Sequence, residues 1–334
     1  MNDEFYMQLA LDKAWGYQGL TYPNPAVGAV VTVNGKILAI EAHQKSGTSH
    51  AEVLALIQAY ETLSKSSIDF DRFDAKKVHY FLLSLPRNFF SKCSIYVTLE
   101  PCSHAGQTPS CASLLKSLVL KKIVIGIADP IVGHDAGANM LSNVTMGVLE
   151  TECNDLLEPF MIWQKRAFVL FKIAQTSNGQ IESDENDGYL SSKDSLTHVH
   201  RLRESCDVLL IGGNTVRVDR PTLDCRFIKT KAPSVKIYSK EDNFDRDIPL
   251  FHIENRDVEI VDTLDFLDKP SFVMVEGGEG MLNVLKDKID WMLIYQAPKL
   301  SSNTLTYNIT MNLEFLHQNK IDVDLMIWSR NSGH

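Results

Sequence analysis

Three short patterns restrict what this chain can fold into: His50-Ala51-Glu52, Pro101-Cys102 and Cys111. Each falls at the expected end of a helix or strand. A fold that uses them together must bring a helix start, a strand end and a second helix start to one cavity. His50 opens a strongly helical run over 51–63, behind Thr48 and Ser49; Pro101-Cys102 follows an apolar strand over 94–99. Cys111 follows Ser110 at the start of a helix expected over 112–120, where the helix dipole favours a thiolate. Residues two apart point away from each other along a helix side, so His50 and Glu52 share a cavity only at the helix's N-terminal end.

One neutral imidazole and two thiolates leave the fourth tetrahedral position of Zn²⁺ to water, the pattern of a catalytic rather than a structural site. Zinc lowers the pKa of that water toward neutrality. Glu52 is then placed to take its proton and return it to a ring nitrogen and a leaving amine, the arrangement of zinc deaminases, whose glutamate stays outside the metal shell. A structural reading competes. Ser49-x-x-Glu52 is also a capping box, in which Glu52 satisfies the Ser49 backbone N–H. For His-x-Glu alone the structural reading is the better one; with Pro-Cys and a second cysteine at element ends, the metal site is.

The remaining pattern is an alternation of strands and helices. Helical periodicity over 4–18 is followed by strands over 27–33 and 36–40, joined at Asn34-Gly35 as a hairpin. Residues 64–92 are charged and irregular and read as an insertion. A strand over 122–128 completes an α/β layered domain ending near residue 145. The acidic helix 150–158 carries the connection, giving a division into 1–148 and 149–334. Further strands are expected over 167–174, 208–211, 235–238, 272–275, 291–296 and 325–328. A length of 334 residues suits two domains. The formal charge of −9 argues against a nucleic-acid partner. No apolar run suits a bilayer, and the N-terminus carries acids where a secretory leader carries basic residues, so a cytoplasmic protein is expected. The six cysteines have no disulfide rhythm and read as thiols.

In the second half, a helix over 192–203 ends in His200-Arg201-Leu202-Arg203, and a strand over 207–211 runs into Gly212-Gly213. The strand over 272–275 runs into Glu276-Gly277-Gly278-Glu279-Gly280 and a helix over 281–286. A glycine turn between strand and helix offers backbone N–H groups to an anion. Such glycines also stand where nothing larger fits. No complete G-x-G-x-x-G is present, so a Rossmann domain is not supported.

The run from Thr21 to Val30 (TYPNPAVGAV), Ala42-His43, Gly47, His50-Ala-Glu52 and the stretch from Pro101 to Cys111 (PCSHAGQTPSC) resemble the deaminase of riboflavin biosynthesis. Nucleoside and tRNA deaminases usually close the site with Pro-Cys-x2-Cys; here eight residues separate Cys102 from Cys111. From Ala167 onward the chain resembles the reductase domain of the same pathway, most specifically in Thr-x3-Asp-x-Pro-x-Leu from Thr215 to Leu223. The resemblance implies a cytidine-deaminase-like α/β/α domain followed by a dihydrofolate-reductase-like α/β domain. It implies zinc on His50, Cys102 and Cys111, Glu52 as proton shuttle, and substrate contacts at Asn24 and His43. In the reductase half it implies NADPH contacts at Ala174, Tyr189, Thr215, Asp219 and Gly278, and substrate contacts at Arg203, Leu223, Arg226 and Glu276. Arg203 and Arg226 are expected to approach one phosphate from two sides, guanidinium supplying permanent charge in a planar fork. On their own, Asn24 reads as a turn residue between prolines and Arg203 as a helix-end charge.

The implied activity is zinc-dependent deamination of a diaminopyrimidinone ribosyl phosphate, then NADPH-dependent reduction of its ribosyl group. The expected partners are this small molecule and further copies of the chain, with no nucleic acid and no membrane. The alternative is a nucleoside or tRNA deaminase with a non-catalytic C-terminal binding or dimerisation domain. The chain departs from the family at Gln107 (usually Lys or Arg), Ser110 (Pro), Ile131 (Asn), Asn178 (Asp) and Tyr189 (Trp), and Pro298-Lys-Leu-Ser-Ser302 lacks paired glycines.

Overall fold

The computed structural model describes residues 2–104, 106–131, 137–182 and 189–333, and the chain divides into two compact units, Met1–Met161 and Ile162–His334. The first begins with helix α1 (Asp3–Trp15), whose first turn is capped by the Asn2 side chain accepting from the Phe5 N–H. Strands β1 (Gly28–Val33) and β2 (Lys36–Ala42) form the expected hairpin. Its turn needs positive φ at both central residues, and Asn34 and Gly35 adopt 49° and 80°. There follow α2 (Ala51–Ser64), α3 (Ala75–Ser84), β3 (Cys93–Leu99), α4 (Cys111–Ser117), β4 (Lys122–Ile127), β5 (Val144–Met146) and α5 (Glu150–Trp163).

The five strands pair in the order β2-β1-β3-β4-β5. β1 runs antiparallel to β2 and β3, while β3, β4 and β5 are parallel. The two-residue period of a strand sorts the side chains into layers. Ala29, Val31, Ile95, Val97, Ile123 and Ile125 share a core with Leu56 of α2, Val78 of α3 and Leu114 of α4. On the other face there is almost no room. A Cβ on Gly28 would lie 1.9 Å from the Ala10 carbonyl oxygen, and one on Gly126 would lie 2.2 Å from Cys153 Sγ. Helices α1 and α5 therefore press on the sheet opposite the other three, and the unit has three layers.

Two expectations change here. Residues 64–92 contain an ordinary helix, α3, capped by the Asp74 side chain and burying Val78 and Leu82 one turn apart. Its exposed charges hid this short apolar stripe. Helix α5 runs on past Glu158 and belongs to the first unit as far as Met161: Cys153 packs on Gly126, and the Leu156 carbonyl accepts from Gln18 Nε2 at 2.7 Å. The chain accordingly divides between Met161 and Ile162, where the sequence pointed to 148/149.

The second unit contains β6 (Ala167–Thr176), α6 (Lys193–Ser205), β7 (Val208–Gly212), α7 (Gly213–Asp219), β8 (Ser234–Tyr238), β9 (Val258–Val261), β10 (Ser271–Glu276), α8 (Glu279–Leu285), β11 (Trp291–Ala297), β12 (Leu313–Ile321) and β13 (Asp324–Asn331). The sheet order is β12-β13-β11-β6-β10-β7-β8-β9. Six strands from β11 to β9 are parallel, and β13 and β12 are added antiparallel at one side. This is the dihydrofolate-reductase-like layout. Parallel strands covered on both faces read as continuous apolar runs, and Phe272, Val273, Met274 and Val275 of β10 are all fully buried. The unexpected strands β5, β9 and β12 lie at sheet edges, where little apolar surface is covered and the sequence pattern is weak. No described helix is long and apolar enough to cross a membrane.

Candidate active sites

In the first unit the three patterns converge. The ligand atoms of His50, Cys102 and Cys111 all lie within 4.8 Å of one another. His50 is the N-cap residue of α2, in extended conformation, and its side chain caps nothing. Its Nδ1 lies 3.4 Å from Cys111 Sγ and 3.9 Å from Cys102 Sγ. Its Nε2 lies 3.1 Å from Thr108 Oγ1. The Cys102 carbonyl accepts from the Ala112 N–H at 3.1 Å and from Ser110 Oγ at 2.9 Å, closing the loop between the two thiols.

The capping-box alternative does not form. Ser49 precedes the N-cap; its N–H donates to the Phe73 carbonyl at 3.2 Å and its hydroxyl to the Arg72 carbonyl at 2.8 Å. Glu52 therefore does not serve the Ser49 N–H; its carboxyl bonds its own backbone N–H and lies buried beside His50, Cys102 and Cys111. Burial pushes its carboxyl above the usual carboxylate range, against the pull of His50. Burial alone would lower His50, but its hydrogen bond to Cys102, with the charges of Glu52 and Cys102, raises it. The Cys102 thiol is brought down to about 4 by hydrogen bonds from Cys111 and His50. Cys111 moves up, because its hydrogen bond to Cys102 holds its proton and burial adds to this.

Asn24 and His43 also come together. Asn24 Nδ2 lies 3.2 Å from His43 Nε2, and His43 Nδ1 lies 3.2 Å from the Ser49 carbonyl. The His43 ring stands edge-on to His50 with centroids 5.2 Å apart. Burial, then the His50 charge, lowers His43 to about 4, so it is neutral. Ser49, which carried no functional reading in the sequence, links residues 72–73 to His43 on one side and His50 on the other.

In the second unit, the carboxyl ends of three adjacent parallel strands gather the expected residues. Ligands of open α/β sheets bind at this edge. Lys172 and Ala174 lie near the end of β6, Glu276 ends β10 with Gly278 after it, and Thr215 and Asp219 lie on α7 after β7. Glu276 is buried between two cations. Arg203 grips it with Nε (2.6 Å to Oε1) and Nη2 (2.9 Å to Oε2), and Lys172 Nζ lies 2.9 Å from Oε2. Burial would raise the Glu276 carboxyl, but Arg203 and Lys172 hold it far below the ordinary range.

The expectation that Arg203 and Arg226 together grip one phosphate is revised by this geometry. Arg203 spends its fork on Glu276 and donates Nη1 to the Asp224 carbonyl at 3.1 Å. Arg226 is about half exposed, with Nε on the Asp224 carboxylate at 2.7 Å, and its terminal nitrogens are the ones available to an anion. Leu223 is buried with φ of +54°, a left-handed conformation costly for a branched side chain. Arg256 holds it there by donating to the carbonyls of Thr222, Leu223 (2.7 Å) and Leu250 (3.2 Å). Lys172 and Arg256 had no distinguishing signal in the sequence.

Gly212 and Gly277 are explained by packing, since a Cβ on either would press on Met281 at 2.8 and 3.0 Å. Gly278 is different: a Cβ there would meet nothing within 4 Å, and its φ of −90° does not require glycine. That open space fits the approach of a ligand to the backbone. Tyr189 is exposed and lies outside any helix or strand. Asn178 makes the family departures intelligible: its Oδ1 accepts from the Ser301 N–H at 3.1 Å and its Nδ2 donates to the Ser301 carbonyl at 2.8 Å.

Two family models match the chain: the cytidine and deoxycytidylate deaminase zinc-binding region over residues 1–127, and the RibD C-terminal domain over residues 167–325. The chain belongs to the RibD family. Among curated RibD-family relatives, a riboflavin biosynthesis protein RibD of Aquifex aeolicus is 35% identical over 243 residues, covering 70% of this chain and 61% of that one. A Mycobacterium tuberculosis RibD is 28% identical over 354 residues, covering 96% and 95%. Against the first four such relatives, the match spans only 55 to 61% of their length. Among solved RibD-family structures, a diaminohydroxyphosphoribosylaminopyrimidine deaminase/5-amino-6-(5-phosphoribosylamino)uracil reductase from Thermotoga maritima is 26% identical, with a TM-score of 0.64 and 98% of each chain covered. Acinetobacter baumannii RibD, at 22% identity and a TM-score of 0.64, shares the fold.

Proposed function

We propose that the chain catalyses two successive steps of riboflavin biosynthesis: hydrolytic deamination of 2,5-diamino-6-(5-phosphoribosylamino)pyrimidin-4-one, then NADPH-dependent reduction of the ribosyl group to ribityl. The observation that carries the reading is the convergence of His50, Cys102 and Cys111 beside a buried Glu52. Zinc, which suits one nitrogen and two sulfur donors with a position left open, would supply Lewis acidity to the attacking water. Glu52, with its raised carboxyl, carries one proton of the attacking water to the ring nitrogen and then the second, released as the added oxygen becomes the carbonyl, to the amine, which leaves as ammonia. Asn24 and neutral His43 offer the pyrimidine a polar wall.

At the second site, nicotinamide supplies the hydride, and the protein supplies placement and charge. The open space at Gly278 suits the cofactor backbone, with Ala174, Tyr189, Thr215 and Asp219 as its further contacts. Glu276, held ionised by Arg203 and Lys172, and Leu223, held by Arg256, face the substrate, and Arg226 meets its phosphate. The acidic net charge and the two site chemistries favour a small-molecule substrate over a nucleic acid. The protein acts in the cytoplasm as a homo-oligomer. Incubation with the diaminopyrimidinone phosphate, with and without NADPH, and mass analysis of products tests this. Without NADPH only the deaminated ribosyl compound should accumulate; with it, the ribityl compound. A binding-only C-terminal domain would leave the ribosyl product unchanged in both.

A further inference from the structure

The loop between Cys102 and Cys111 does more than space two thiols. It carries Thr108, a buried residue, back across the imidazole of His50, with Oγ1 3.1 Å from Nε2. The turn that does this is closed by the Gly106 N–H donating to the Thr108 carbonyl at 3.1 Å, and by Ser110 and Ala112 bonding the Cys102 carbonyl. On its other side the ring presents Nδ1 to both sulfurs. The two ring nitrogens of a neutral imidazole cannot both be lone pairs. A ring that ligates through Nδ1 must carry its proton on Nε2, and that proton needs an acceptor in a buried place.

We propose that Thr108 is a positioning residue for His50: its hydroxyl oxygen accepts the Nε2 proton, fixes the tautomer and holds Nδ1 toward the sulfurs. The inference rests on the metal-site reading above. It gives the eight-residue spacing a purpose, because two residues between the cysteines would leave no chain to reach the far side of the ring. Partners of this kind beyond the ligands set ring orientation and ligand basicity, and losing one typically weakens metal affinity about 10- to 100-fold.

The test is zinc affinity by competition with a chromophoric chelator, for the full chain and its Thr108→Val, Thr108→Ser and Thr108→Ala variants, with Cys102→Ala as control. Thr108→Val keeps the shape and removes the acceptor, so zinc binding should weaken by roughly 10- to 100-fold. Thr108→Ser keeps the oxygen and should stay close to the parent. In cobalt-loaded protein the ligand-field bands of Thr108→Val should shift while those of Thr108→Ser do not, since a freed ring changes the metal geometry. If Thr108→Val does not fold, Thr108→Ala carries the same comparison. Parent-like affinity and spectrum in the valine or alanine variant overturn the proposal, leaving the metal site standing. Failure of the parent chain to bind zinc, or full binding by Cys102→Ala, overturns the metal-site reading instead.

Discussion

The two sites are built on opposite electrostatic plans. Around His50 the first unit collects groups that ligate or accept: an imidazole nitrogen, two sulfurs and a buried carboxyl. Around Glu276 the second unit pairs charge with charge, one carboxylate against Arg203 and Lys172. The first plan is written in short motifs at element ends. The second arises from strand register, which sets Glu276 of β10 directly beside Lys172 of β6. A donor set asks for a partner from outside, whereas in the buried ion triad the carboxylate already has its partners, two cations that hold it ionised and still. Each half can therefore be damaged in its own way.

The largest expected effect is chemical and confined to the first unit. Glu52→Gln keeps shape and removes the base, so ammonia release should fall by about 10²- to 10⁴-fold. Zinc content and NADPH oxidation on pre-deaminated substrate should stay at parent levels. A variant that released ammonia normally but lost helix stability would make Glu52 a structural residue and erase the contrast.

Next is a loss of stability in the second unit. Arg203→Met leaves Glu276 buried with Lys172 alone, and removing one partner of a buried ion pair costs about 3–5 kcal/mol. Denaturant unfolding followed through the tryptophans should show it. If stability were unchanged, the triad would not be a closed network.

The smallest of the three effects is one of pH. His198 is buried on α6, with Nδ1 2.5 Å from the Tyr295 hydroxyl, and burial, with the charge of Arg201, lowers it from 6.5 to about 4. A depressed histidine contributes stability that is whole above the unfolded value near 6.5. That stability drains away as pH falls from there to about 4. The loss is on the order of 3 kcal/mol, at about 1.4 kcal/mol per pKa unit. His198→Gln should flatten the acid limb of the stability curve by about one proton. An unchanged slope would place the acid sensitivity elsewhere.

What the sequence disclosed follows the same division. The hairpin of β1 and β2, helix α2 and strands β3 and β4 were legible because one apolar period or one turn dipeptide specifies each. The cluster of His50, Cys102 and Cys111 was legible because metal chemistry accepts few residue types. The Arg203–Glu276–Lys172 triad was not, since its members lie on three elements joined only by the folded sheet. Helix α3 was masked by its exposed charges, and β5, β9 and β12 by their edge positions. The left-handed backbone of Leu223 and its clamp by Arg256 leave no local mark, because nothing about an isolated arginine says which carbonyls it will meet.

The amide of Asn178 has a consequence for anyone rewriting this protein. It faces both the N–H and the carbonyl of Ser301, one with its oxygen and one with its nitrogen. An aspartate in its place keeps only acceptors and would set a carboxylate against that carbonyl. The turn at 176–180 and the loop at 298–302 thus form an interlock. Restoring the family's aspartate alone removes the Nδ2 donor that the Ser301 carbonyl accepts from, whereas glycines in the 298–302 loop keep the main-chain groups that Asn178 bonds but loosen the backbone that presents them. Such pairs are non-additive, and a chain that has diverged at one side of the lock is committed at the other.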